Sequence, residues 1–173
     1  MPPGLIIRHS VMVIKMAQTI GAALILCALA PLSSASGGAK LTIDLSKLGQ
    51  PNQSIAFTEV NELKLLPKPV LDEFQGGLVD PKEDFQVTDV AVGKLLPSRR
   101  LIVAGISEKY CLVHYERGGI AHTWLVALFV LSKDKAKLAW VSMIPSGRKL
   151  SFHELKVEVE SGNLRNQPGH PYW

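Results

Sequence analysis

Eight consecutive residues, Trp124 to Leu131, carry no polar side chain. A helix that crosses a bilayer needs about twenty apolar residues, so this run is too short to span as one. Read as a strand, it is apolar on both faces. Such a strand sits in the middle of a sheet and must be covered on both sides.

The flanking sequence agrees. Tyr110 to Arg117 and Ile120 to Leu131 bracket Gly118-Gly119, a pair able to take the backbone angles of a tight turn, so a hairpin is predicted there. Ser132 to Lys137 is polar and makes the next turn. Leu138 to Ile144 is a further strand, stopped by Pro145, Ser146 and Gly147. Upstream, Leu101 to Ile106 has strand length, and Phe85 to Val90 alternates in the manner of a half-buried strand. The expectation is an antiparallel meander between Phe85 and Ile144.

Two periods compete in Ser151 to Ser161. Leu155, Val157 and Val159 alternate with charged residues, as in a strand. Phe152, Leu155 and Val159 also fall on one face of a helix. Ser151 and Glu154 form a capping box, and Gly162 stands where a helix C-terminal glycine belongs. Start and stop signals agree, so the segment is read as a helix that covers the sheet.

The N-terminal part is less regular. Ala39 to Leu48 reads as a short strand, and Ile55 to Leu66 admits either periodicity. Pro67 and Pro69 forbid a regular helix across them, and Val70 to Gln75 makes one helical turn. The fold class is α+β: an antiparallel β-meander sheet with a C-terminal helix and an irregular N-terminal segment packed on it.

Before this lies an export signal. Arg8 and Lys15 precede the apolar run Ala17 to Leu32, and small residues follow from Ser33 to Ala39. Residues 1–35 are read as a secretory signal peptide of bacterial type, and 36–173 as one small domain. The expected location is the periplasm or outside the cell, with membrane contact only through an uncleaved signal. Removing Arg8 and Lys15 lowers the net charge from +4 to +2. The remaining cations are dispersed. Arg99-Arg100 and Arg148-Lys149 are read as solvated loop pairs, so no nucleic-acid partner is expected. The domain keeps one cysteine, Cys111, which cannot form an internal disulfide. The terminal Tyr172 and Trp173 are read as an aromatic anchor.

Cys111, His114, Glu116 and His122 are the residues able to carry chemistry, and hairpin register decides their meaning. A two-residue turn pairs Tyr115 with His122 and puts His122 opposite His114 and Glu116. A three-residue loop pairs Glu116 with His122 and puts His114, Glu116 and His122 on one face. Two imidazoles and a carboxylate so placed could hold Zn²⁺ with an open position, or act as an acid–base pair. Cys111 could serve as a nucleophile, but His114, three residues on, points to the opposite strand face. No G-x-S-x-G or glycine-rich phosphate loop is present. These readings favour a non-catalytic binding or interaction protein of the cell envelope, with an envelope or extracellular partner and no cofactor. The alternative is a small metal- or cysteine-dependent enzyme with its site in the 111–124 hairpin.

Overall fold

The computed structural model describes residues 38–51, 54–75, 77–89 and 95–167. Residues 1–35, read as an export signal, and Tyr172 and Trp173, read as an anchor, lie outside the described residues. Among the described residues, seven strands form one sheet: β1 (Lys40–Asp44), β2 (Ser54–Val60), β3 (Leu78–Val79), β4 (Arg99–Ile106), β5 (Tyr110–Arg117), β6 (Thr123–Ser132) and β7 (Lys135–Met143). Their order is β1-β2-β4-β5-β6-β7, antiparallel throughout, with the short β3 parallel to β4. The α-helices among the described residues are α1 (Lys68–Glu73) and α2 (Phe152–Ser161).

The meander β4–β7 and the C-terminal helix follow the sequence reading. Its start does not. Phe85 to Val90 was expected as a strand, yet Phe85 to Val87 lies outside any strand. The Gln86 amide donates to the Pro97 carbonyl, and the Val87 carbonyl accepts from Gly119. Backbone groups satisfied in this way need no ladder partner. The N-terminal material is more regular than expected, because β1 and β2 extend the sheet beside β4. The outer edge of β4 is shared: Ala104–Ile106 pairs with β2, and Arg99–Arg100 pairs with β3.

The apolar strand β6 is buried from Leu125 to Phe129. On one face, Leu112, Val126, Leu128 and Trp140 pack with Phe152, Leu155 and Val159 of α2. On the other, Val113, Leu125, Ala127 and Phe129 pack with Leu66, Val70 and Phe74, carried by α1 and its flanks. The Phe74 ring meets Tyr115 edge-on at 5.2 Å. Pro69 is tolerated in α1 because first-turn amides have no helical acceptor. Gly105 fixes the close approach of α2: a β-carbon there would stand 2.2 Å from Cζ of Phe152.

The capping box of α2 is formed. Ser151 Oγ accepts from the Glu154 amide at 3.3 Å, and Glu154 Oε2 accepts from the Ser151 amide at 2.8 Å. Gly162 closes the helix in the left-handed conformation, at φ 74°. Val157 is 55% exposed, whereas Leu155 is fully buried. Urea denaturation should therefore separate three variants. Ser151→Ala should cost about 1 kcal/mol, Leu155→Ala roughly 2–5 kcal/mol, and Val157→Ala no more than about 0.5 kcal/mol. A Val157→Ala loss as large as that of Leu155→Ala would contradict the helical packing.

Candidate functional site

The hairpin between β5 and β6 exists, but neither expected register does. Arg117 pairs with Thr123 and Glu116 with Trp124, which leaves residues 118–122 as the loop. Tertiary pairing overrides the tight turn. The Gly118 amide donates to Ser98 O at 2.9 Å, and the Gly119 amide to Val87 O at 3.1 Å. Gly119 alone of the pair takes a positive φ, 122°. Gly118 is required by contact instead: a β-carbon there would lie 1.8 Å from the Gln86 carbonyl oxygen. Ile120, expected in the strand, is 87% exposed at the loop tip.

This loop returns His122 to the α2 face of the sheet, where Glu116 lies. Glu116 is 1% exposed and occupied on both oxygens. Oε1 accepts from Arg100 Nε at 2.7 Å and Lys149 Nζ at 2.9 Å, and Oε2 is 2.9 Å from His122 Nε2. Burial alone would raise the Glu116 pKa. The hydrogen bonds from Arg100, Lys149 and His122 outweigh it and hold the carboxyl below the usual range. Arg100 and Lys149, read from the sequence as solvated cations, are thus the groups that make a buried carboxylate tolerable. Arg100 is the direct cross-strand neighbour of Glu116. The β4–β5 register was the signal that could have found it.

Aromatic rings enclose the imidazole. His122 stacks on Trp124, with centroids 4.4 Å apart and planes at 26°, and the Phe85 ring lies 5.8 Å from it, tilted by 59°. The Arg100 guanidinium lies 4.3 Å from the Phe85 centroid.

His114 does not join this group. Nδ1 is 2.8 Å from the Leu125 carbonyl, and Nε2 is 3.1 Å from the Leu150 amide. A carbonyl only accepts and an amide only donates, so the partners dictate the neutral Nδ1–H tautomer. Burial lowers its pKa to about 4. Cys111 is fully buried on the opposite face, and burial pushes its thiol up to about 12. A thiol held protonated is a poor nucleophile. Among the described residues, no group of three or more His, Cys, Asp or Glu is arranged to hold a metal ion. Arg100 and Lys149 already occupy the charge that a cation would seek on Glu116.

A cleft of about 390 Å³ opens beside His122 and Trp124. Ser142 and Ile144 line it from the end of β7, and Asn163, Arg165 and Gln167 line it from the segment after α2. That segment is held to β7: Asn166 Oδ1 accepts from the Val141 amide, and the Gln167 amide donates to Val141 O. The described lining has no acid. Nothing in the sequence alone joins residues 163–167 to the hairpin.

His114 sets an acid dependence. Its folded pKa lies below the unfolded value of 6.5, so between these values the unfolded chain binds the additional proton and stability falls as pH falls. The loss between pH 6.5 and 4 should be about 3 kcal/mol. Urea titrations across that range should show the slope, and His114→Gln should flatten it. Glu116, also lowered, acts with the same sign, starting as pH falls through its ordinary value of 4.5 and continuing below it. Zinc gives a second check. Added at a few equivalents, it should leave the melting temperature unchanged; a rise that His122→Ala removes would reinstate a metal site.

The chain matches no family model, no curated protein and no solved structure.

Proposed function

We propose that this is an exported, non-catalytic binding protein whose ligand site is the cleft beside Trp124. The observation that carries the reading is the cleft itself. Its volume falls in the range of small-molecule sites, about 300–1,000 Å³. An indole and an imidazole already stacked on one another form part of its wall. Polar groups from Ser142, Asn163, Arg165 and Gln167 converge on it from two segments, a combination suited to an apolar ligand body with a few polar anchors.

The chemistry around the cleft supports binding over reaction. Glu116 is held ionised by three donors, which makes it a weak base. Both His114 nitrogens are bonded to the backbone. The Cys111 thiol is sealed in the opposite core. Export is supported by Arg8, Lys15 and the apolar run that follows them.

N-terminal sequencing of the exported protein should begin between Ser36 and Lys40. In a fragment-library titration followed by amide chemical shifts, changes should concentrate at Thr123, Trp124, Ser142 and Asn163. Asn163→Trp fills the cleft mouth from an exposed position, so it should abolish those changes without lowering the melting temperature. Shifts confined to other surfaces, or unaltered in Asn163→Trp, would refute the reading.

A further inference from the structure

The cleft beside Trp124 is one-sided in charge. Its described lining contains Arg165 and no aspartate, glutamate or lysine. Glu116 stands behind His122, but Arg100 and Lys149 already neutralise it. All fifteen acids of the chain lie within the described residues. Arg100 pairs with Glu116 and Arg148 with Glu154, whereas no acid among the described residues pairs with Arg165.

Arg165 is exposed, yet the backbone that carries it is fixed on both sides. Before it, Leu164 is buried in the core with Phe152, Leu155 and Val159 of α2. After it, Asn166 Oδ1 accepts from the Val141 amide at 3.3 Å, and the Gln167 amide donates to Val141 O at 2.8 Å. The cation is thus presented at the cleft from an anchored segment, which lowers the ordering cost of binding. The wall beside it is apolar: Met143, Ile144 and Pro145 line the cleft together with the Trp124 indole. That indole is steadied by its stack on His122, whose Nε2 is 2.9 Å from Glu116.

We infer that the ligand of this cleft is a small aryl carboxylate, a flat apolar ring system bearing one carboxylate; the inference rests on the cleft being a ligand site. A guanidinium meets a carboxylate through two parallel hydrogen bonds. The indole matches the ring, since aromatic pairs gain from offset-stacked or edge-on contact. Charge count selects carboxylate over phosphate. A phosphate monoester carries about 1.5–2 negative charges near neutral pH, and the described lining brings a single guanidinium. An organic cation would find a face on the indole, but Arg165 repels it and no acid in the described lining holds it. The volume of about 390 Å³ lies near the lower end of small-molecule sites, which suits a compact ligand.

The test is an amide chemical-shift titration of the intact protein with 2-naphthoate, 2-naphthamide, 2-naphthyl phosphate and 2-naphthylmethylammonium. Naphthoate should shift Thr123, Trp124, Ser142 and Asn163, and should bind about tenfold or more tighter than the amide, the effect of a charged hydrogen bond. Arg165→Gln should remove that difference. It should leave naphthamide affinity and the melting temperature unchanged, because the side chain is exposed. Arg165→Lys should restore only part of the difference, since an ammonium lacks the planar fork. Equal binding of naphthoate and naphthamide, tightest binding of the phosphate or the ammonium, or a difference intact in Arg165→Gln overturns the carboxylate while leaving the cleft a ligand site. If no naphthyl probe shifts these residues while library fragments do, the aryl class is wrong. If the fragments also fail, the reading of the cleft falls with it.

Discussion

The amide of Leu150 donates to a buried imidazole, and much of the molecule is placed by that bond. His114 stands in the middle of the sheet and holds Leu125 of the next strand with one nitrogen. With the other it receives the chain where it leaves β7 for α2. The residue before Leu150 is Lys149, which reaches Glu116; the residue after it is Ser151, which caps the helix. One side-chain position thus sets the entry of the covering helix and the third donor of the ionic group. The arrangement needs a neutral imidazole, and burial enforces one.

Two charged groups occupy opposite faces of the same sheet end, and they differ in completeness. Around Glu116, two cations and an imidazole answer one carboxylate, and every close partner is within 2.9 Å. Around Tyr115, Arg99 and Arg117 gather, and no acid among the described residues pairs with Arg99. The first group is self-sufficient, so it serves as a wall and a support for the neighbouring cleft. Removing Arg100, the least exposed of the three partners, would leave the buried carboxylate short of a donor, which ties the group to the fold. In the second, the Arg99 Nε and the Tyr115 hydroxyl are buried without a hydrogen-bond partner among the described residues.

The central sheet and the C-terminal helix were legible because their signals are local. Trp124 to Leu131 announces a strand with two covered faces, and the Ser151, Glu154 and Gly162 signals outweighed the alternating valines. Phe85 to Val90 misled for a physical reason: its alternation is genuine, but Gln86 and Val87 spend their backbone groups on Pro97 and Gly119. The candidate site was half legible. Glu116 and His122 do meet, through a loop longer than either register considered. His114 shares their face yet is consumed by backbone partners, which no spacing reveals. Arg100, Lys149, Phe85 and Arg165 come from segments far apart in sequence, and only the assembled sheet brings them together.

The close approach at the hairpin loop is a contact between backbones. Gly118 meets the carbonyl of Gln86, not its side chain. The two partners are therefore unequal under mutation. Position 86 can exchange its side chain while presenting the same oxygen, whereas position 118 admits no side chain at all. At this contact the residue that carries the oxygen is free to drift in composition, and the geometric requirement rests on Gly118 in the facing hairpin.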